Sequence, residues 1–325
     1  MKAIALTAKP NAQSKKKGLE QMMELLEEKE RNNNNNFGGG RDGTAANIQN
    51  EFESIASNAM PIWTRVHSKC LRNEKGSANT DETRLMSVKA HNLMCERSGK
   101  LLARCIGTTL AIPLILLARC DGDKNVAKEA ESGFRRIFTT KERRAKALRF
   151  VAVDFFELVQ ESVQRAMTEF GGGNMKKSVQ SSNNCKERDV IEQDACASLR
   201  AMGQYVVDVF GFEEFREGEI TLTTNEEKKT TTVMAALESA LESLEHLRKL
   251  MMLESSTSLR GASLDCLRKL FMDRCETESE ERDNDKNVVT FASFCDEHTA
   301  KRVLENIFNR IEREDDSFCI IRVWE

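Results

Sequence analysis

The chain has little of what strand-rich folds depend on. Its 325 residues include three prolines and one tyrosine, and aromatic side chains make up 6%. Runs of strand-forming residues are scarce, whereas good helix formers are plentiful. Hydrophobic residues account for 40% and charged residues for 31%, so the chain has enough apolar surface for a core and enough charge to solvate its exterior. These proportions predict an all-α protein.

Paired metal ligands are also missing. No two of the ten cysteines form a C-x-x-C pair, and the four histidines are far apart in the chain. A zinc finger or RING domain needs closely spaced thiolates or imidazoles, so we expect neither structural zinc nor any other cofactor in this chain. The cysteines fall mostly within helical patterns, which is typical of small buried apolar groups in a reducing compartment.

No pattern typical of a catalytic site is present. Glycines 171–173 lack the G-K-[ST] ending of a phosphate-binding loop and predict a linker instead. Without a partner at a suggestive spacing, the histidines are expected at the surface or at the edge of the core: His67, His91, His246 and His298. The net charge of −3 does not require a nucleic-acid partner, so such an interface must depend on a local cluster.

The chain also lacks a long uninterrupted apolar run. Its N-terminus is too short and too weakly apolar for a secretory signal. The run Leu101–Leu117 is interrupted by Arg104, Gly107 and Pro113, and it is shorter than the roughly 20 residues that a membrane span requires. It predicts a single buried helix, and we expect the protein in the cytosol.

The most informative stretch lies between residues 98 and 167, which reads as helix, tight turn, helix, short cap and helix. After the turn Asp121–Asp123, Val126, Ala130 and Phe134 recur at intervals of four and share one helical face. Asp123 is expected to accept a backbone N–H at the helix start. This pattern is typical of a HEAT-type hairpin, which must stack on neighbours, so we expect a HEAT/ARM-like α-solenoid of antiparallel hairpins. The predicted core residues are Trp63, Val126, Ala130, Phe134, Phe138 and Leu148.

Composition divides the chain into four parts. Residues 1–50 predict an N-terminal helix and a low-complexity linker, and residues 51–170 predict helical hairpins with Pro61 at a new helix start. Residues 171–189 predict a flexible linker, and residues 190–325 further HEAT-like helices, incomplete at the C-terminus. Weak order is expected at 32–47, 171–184 and 276–286. Residues 211–232 predict a charged loop, and the tail SFCIIRVWE is the one strand-like segment.

One local charge cluster stands out. Between residues 135 and 149 there is a single acid, Glu142, and there are seven bases: Arg135, Arg136, Lys141, Arg143, Arg144, Lys146 and Arg149. Such a cluster at a helix start can neutralise RNA phosphates, and it can equally be a solvated helical surface. No aromatic residue interleaves on its polar face, so base stacking is not expected. Thr139 and Glu142 have the spacing of a capping box.

Two segments resemble a known family. NAMPIWTRVHSKC at 58–70 contains a P-x-W-x-R segment, and the stretch at 98–150 contains a Cys-Asp turn and an A-x-x-[AG]-F-x-x-x-F helix at Ala130–Phe138. In this order, they resemble the N-terminal HEAT region of listerin, the RING-type E3 ubiquitin ligase of ribosome-associated quality control. A later helix at 232–250 is similar to the family's next one through Leu241, Leu244 and Leu247. The resemblance covers about residues 17–255.

The resemblance implies a scaffold that docks on the stalled large ribosomal subunit beside the companion factor that senses stalled peptidyl-tRNA. The ligase would then ubiquitinate the nascent chain for degradation. The family carries its zinc in a RING, which this sequence lacks, so we expect the chain to be non-catalytic alone. The seven bases are the candidate contacts to ribosomal RNA. The alternative is a generic HEAT/ARM adaptor for protein partners without ribosome association.

Overall fold

The computed structural model describes residues 2–9, 11–35, 42–72, 79–170, 182–210, 221–223, 228–230 and 256–271, with the single positions 250, 301 and 305. These parts are helical apart from one two-stranded hairpin, in agreement with the predicted all-α class. The chain divides into two units, Met1–Ala147 and Leu148–Glu325.

Helices in the first unit follow one another through short connections. They are α1 (Lys2–Thr7), α2 (Ala12–Asn35), α3 (Asp42–Leu71), α4 (Asp81–Ser98), α5 (Leu102–Ile106), α6 (Ala111–Ala118) and α7 (Lys124–Ile137). The Thr80 side chain caps α4 by accepting from the Thr83 N–H. Asp123 caps α7 as predicted, because its carboxylate accepts the N–H groups of Asn125 and Val126 at 2.9 and 3.0 Å.

Helix α4 is the central element of the first unit and packs against α2, α3, α6 and α7. Trp63 of α3 bonds to His91 of α4, and His67 bonds to Ser87, so α3 and α4 run antiparallel. Arg84 of α4 bonds to Asp121 just before α7, and Asn92 bonds to the carbonyl of Glu129 within α7. Helices α4 and α7 therefore run parallel.

The apolar run at 101–117 is not the single helix that its composition predicts. A 3₁₀ turn at Gly99–Leu101 leads into α5, and the chain turns again before α6 begins. Pro113 lies in the first turn of α6, where its missing N–H leaves no hydrogen bond unmade. The Thr109 hydroxyl donates to the Cys105 carbonyl at 2.9 Å and closes the intervening turn.

The described residues shorten one predicted interruption of the N-terminal helices and contradict another. Helix α2 continues to Asn35 and α3 begins at Asp42, so much of the expected linker at 32–47 is helical. Asparagine is tolerated in a helix that is already nucleated, and a polar run alone does not end one. Pro61 lies inside the 30-residue α3 and starts no new helix. The neighbouring side chains of Met60 and Trp63, both 0% exposed, hold this part of α3 in the core.

Most predicted core residues lie in the interior. Trp63, Val126, Ala130, Phe134 and Leu148 each expose 3% or less. The expectation is wrong for Phe138, which is half-buried because α7 has ended and Phe138 is its C-terminal cap. The ring of Phe138 meets Phe134 edge-on, with 5.3 Å between ring centroids.

Two histidines are fully buried, contrary to the expected surface or core-edge positions. The rings of His67 and His91 stack at 4.2 Å between centroids, and the Trp63 ring lies nearly parallel to His67 at 5.8 Å. The Trp63 indole N–H donates to His91 Nδ1 at 3.1 Å, so the proton of the neutral ring is on Nε2, which donates to the Ala111 carbonyl at 2.7 Å. Burial lowers the pKa of His91 to about 4, and burial together with His91 lowers the pKa of His67 well below its usual value.

The next helix begins in the last residues of the first unit and continues into the second, and the described helices from there on form one hairpin and one parallel pair. Helix α8 (Lys141–Phe170) runs antiparallel to α9 (Ser182–Phe210), since Ser162 bonds to Asp194 and the Tyr205 hydroxyl donates to the Leu148 carbonyl. The third described helix, α10 (Thr257–Phe271), runs parallel to α9, because Ser256 bonds to Glu192 and Lys269 to Gln204.

The expected loop at 211–232 contains a small antiparallel hairpin of β1 (Thr221–Thr223) and β2 (Lys228–Thr230). Strands therefore occur where the sequence predicts a charged loop. The Thr-Leu-Thr sequence of β1 suits a strand, whereas the two lysines of β2 give no strand signal. The start of α9 at Ser182 also removes part of the linker expected at 171–189.

Several predictions lie outside the described residues: the segments 171–181 and 276–286, the tail, nearly all of the helix at 233–253, and His246 and His298. Of the described helices, none is both long and apolar enough to cross a membrane by itself. The stretch from Asp81 to Ala118 reaches that length and composition only as two helical parts bent by 112°, and every residue of α6 is buried in the fold.

Replacing Phe134 tests the packing of α7. Phe134→Ala removes a ring that is 3% exposed and leaves a cavity, so the free energy of unfolding should fall by about 3–5 kcal/mol. Phe138→Ala is the matched control, since that ring is half-buried and should cost at most about half as much. Urea denaturation measures both, and equal decreases would show that the two rings are equally part of the core.

The buried histidines predict a decrease in stability on mild acidification. Unfolded histidines bind protons below about pH 6.5, whereas folded His91 has a pKa of about 4, so the unfolded state binds more protons between these values. The contribution of His91 is complete above about pH 6.5 and should decline by up to about 3 kcal/mol as the pH falls to 4. A background carrying His246→Gln and His298→Gln isolates the buried pair. A free energy of unfolding that stays constant from pH 6.5 to 5 in that background would contradict the predicted protonation.

Candidate functional site

The basic cluster lies where α7 ends and α8 begins. Helix α7 ends at Ile137, and its cap residue Phe138 leaves the helical region with φ −115° and ψ 82°. The Thr140 hydroxyl then accepts the Arg143 N–H at 3.2 Å and caps the start of α8. The predicted capping box at Thr139 is therefore wrong by one position. The side chain of Glu142 bonds to Thr140, which lowers the pKa of that fully exposed carboxylate.

The first two bases of the cluster are held in ion pairs. Arg135 contacts Glu131 one turn earlier at 2.6 Å. Arg136 contacts Glu96 of α4 at 2.8 Å and Glu129 of α7 at 3.1 Å. These contacts give Arg136 a role in joining α4 to α7, and they reduce the charge that either arginine can offer to a phosphate.

Glu131 belongs to a second group of contacts on the same helix. Arg119 bonds to Glu131 at 2.5 Å, and its guanidinium lies 5.1 Å from the centre of the Phe134 ring. Burial alone would raise the pKa of Glu131, but Arg119 and Arg135 outweigh burial and lower the pKa overall. The acid thus stays ionised beside both arginines, and the contacts fix the α6–α7 connection over the core.

Arg144 has a structural role in the connection between the two helices. Its guanidinium donates to the carbonyl of Phe138 at 3.0 Å and to that of Thr139 at 3.4 Å. These carbonyls follow the last turn of α7 and have no partner within the helix, so a cation suits them well.

The remaining bases differ in exposure. Lys141, Arg143 and Lys146 are exposed, whereas Arg149 is half-buried. Arg149 follows the buried Leu148 directly and is less accessible than the other three bases. The three exposed bases Lys141, Arg143 and Lys146 lie within two turns of α8.

An exposed aromatic residue accompanies these cations, contrary to expectation. Phe150 is 51% exposed and Val153 is 40% exposed. Phe150 follows Lys146 by four residues and Arg143 by seven, which places all three on one face of α8. The sequence signal for this residue is its spacing from Lys146 and Arg143.

None of the described residues forms a group of three or more histidine, cysteine or acidic side chains able to hold a metal ion. The buried rings of His67 and His91 are consequently a core contact. They are the buried titratable groups that sequence reasoning missed, because the spacing within each helix gave no indication that the two helices would place them together.

A family model for the E3 ubiquitin-protein ligase listerin, N-terminal domain, matches residues 7–169. This chain belongs to the listerin family. Listerin's N-terminal domain thus accounts for the chain from the end of α1 to the end of α8, and the basic cluster lies within it. No curated protein and no solved structure matches the chain significantly.

Two alanine variants, at Arg144 and at its neighbour Arg143, test the contact that Arg144 makes between α7 and α8. Arg144→Ala removes the donor to two carbonyls at the end of α7 and should lower the free energy of unfolding by about 1 kcal/mol. Arg143→Ala removes an exposed side chain and should change it by less than about 0.5 kcal/mol. Thermal unfolding of both variants measures the difference, and identical melting temperatures would exclude the capping role of Arg144.

Proposed function

We propose that this chain is the N-terminal scaffold of a listerin-like E3 ubiquitin ligase that docks on stalled large ribosomal subunits. It does so in the cytosol, beside the companion factor that senses stalled peptidyl-tRNA, so that the ligase ubiquitinates the nascent chain. The single observation that carries the proposal is the match of residues 7–169 to the listerin N-terminal domain.

The packing of the helices supports a HEAT-like solenoid as the form of this scaffold. In the first unit, the hairpin of α3 and α4 is followed by α6 and α7, and α4 and α7 run parallel. Further along the chain, α8 and α9 form a hairpin, and α9 and α10 run parallel. Successive hairpins whose second helices are parallel are the arrangement of α-solenoid repeats.

The exposed bases at the start of α8 support a contact with ribosomal RNA. Lys141, Arg143 and Lys146 lie on the surface within two turns, where each can approach a backbone phosphate. Arg135 and Arg136 contribute less to such a contact, because Glu131, Glu96 and Glu129 already pair with them. The contact therefore centres on the first two turns of α8.

Co-sedimentation of the full chain with purified large ribosomal subunits, over a series of salt concentrations, tests this proposal. Arg143→Glu together with Lys146→Glu should weaken binding and flatten the log–log salt dependence by roughly one unit for each phosphate that is no longer neutralised. The charge-matched control reverses Lys124 and Lys128, two exposed bases of α7 outside the cluster. The control variant should bind the subunits as tightly as the unmodified chain does. Both variants should have the melting temperature of the unmodified chain.

Two outcomes would decide against the proposal. An unmodified chain that does not sediment with the subunits at low salt would favour the generic HEAT/ARM adaptor without ribosome association. Equally weakened binding in the α8 and α7 variants would show that net charge, and not this helix start, determines binding.

A further inference from the structure

Helix α8 carries an exposed stripe of side chains in which bases, apolar residues and acids follow one another. Its members follow one another at steps of three or four residues, so they share one face of the helix, and all are exposed: Arg143, Lys146, Phe150, Val153, Glu157 and Glu161. From the N-terminal to the C-terminal end, this α8 stripe has two bases, two apolar residues and two acids. The opposite face of α8 is buried and includes Leu148, Val151 and Phe155.

The apolar centre of the α8 stripe is unusual for a solvent-facing position. Phe150 and Val153, at 51% and 40% exposure, are neighbours one turn apart. They account for two of the five large hydrophobic side chains that are exposed among the described residues. An apolar pair rimmed by charges of both signs is typical of a surface that meets another protein.

The charges determine what that partner must look like. Glu157 and Glu161 follow the apolar pair directly, so a phosphate backbone lying along the whole stripe would be repelled at one end. The complementary surface presents acids opposite Arg143 and Lys146, apolar groups opposite the centre, and bases opposite the two glutamates. A partner helix that runs antiparallel to α8 meets this requirement if its own residues, from N- to C-terminus, are bases, then apolar residues, then acids.

A second copy of α8 has that order. We propose that two copies of this chain associate through their α8 stripes as an antiparallel, two-fold symmetric helix pair. With the axis between Phe150 and Val153, Phe150 of each copy meets the other's Val153, and Lys146 meets the other's Glu157. Arg143 then lies beside the other's Glu161, whose present neighbour is Arg165 at 3.7 Å. Every contact occurs twice, as an isologous interface requires.

The steps between the stripe residues suit such a pair. Arg143, Lys146, Phe150, Val153 and Glu157 follow the alternating three-and-four spacing of a heptad seam, which keeps one line of side chains toward a partner helix. A parallel pair would instead place like charges side by side and is excluded by their repulsion. The contact is short and partly polar, so self-association should be weak and sensitive to salt.

Sedimentation velocity of the full chain over a wide concentration range, at low and at high salt, tests the proposal. The unmodified chain should dimerise as concentration rises, and less so at high salt. Lys146→Glu faces the other copy's Glu157 and should weaken self-association about tenfold, and Glu157→Lys should do the same by placing two bases together. The double variant restores opposite charges and should restore the dimer.

The charge exchange also separates this proposal from a folding defect, since two independently misfolded variants would not repair each other. Lys128→Glu, on an exposed position of α7, is the matched control and should leave self-association unchanged. Phe150→Ser with Val153→Ser should abolish the dimer and keep the melting temperature. A chain that stays monomeric at every concentration at low salt, or a double variant as weak as the single ones, would overturn the proposal.

The experiments distinguish a failure of the self-association proposal from a failure of the ribosome-docking proposal. Lys146 serves both proposals, but only self-association uses Glu157. The double variant Lys146→Glu with Glu157→Lys should dimerise normally and still bind large ribosomal subunits more weakly than the unmodified chain.

Discussion

The contact on which the first unit depends is the buried hydrogen bond from Trp63 to His91. It joins α3 to α4, and because the indole can only donate, it leaves the proton of His91 on the nitrogen that bonds to the Ala111 carbonyl at the start of α6. One neutral ring thus links three helices in the interior. Burial lowers the pKa of His91 to about 4, although its bond to the Ala111 carbonyl acts in the opposite direction, so the ring stays neutral near pH 7.

Helix α4 extends this arrangement to α7. The side-chain amide of Asn92 donates to the Glu129 carbonyl at 2.9 Å, which requires α7 to approach closely. Gly133 makes that approach possible, because a Cβ atom there would lie 2.1 Å from the Asn92 amide. The small residue of the family-like motif at 130–138 is therefore needed for packing between α4 and α7.

The position of these helix ends decides the chemistry of the cluster. Seven bases that are equivalent in composition acquire different roles: Arg135 and Arg136 pair with acids, and Arg144 caps the end of α7. What remains exposed at the start of α8 is a smaller basic surface that continues into Phe150 and Val153. A surface of this kind supports both proposed contacts, and because Lys146 takes part in each, they would compete for the same helix face.

By itself, the sequence determined the helical class, the turn and cap at Asp123, the interior positions of α7 and the resemblance to listerin. These are local properties or periodic patterns, and intrinsic propensity, capping and hydrophobic spacing act within a few residues. The tertiary structure alone decided that Pro61 stays within a helix, that the run at 101–117 breaks, and that His67 and His91 stack. It also decided which bases of the cluster remain exposed. Each depends on side chains distant in sequence, whose burial and charge partners outweigh local preference once the helices pack.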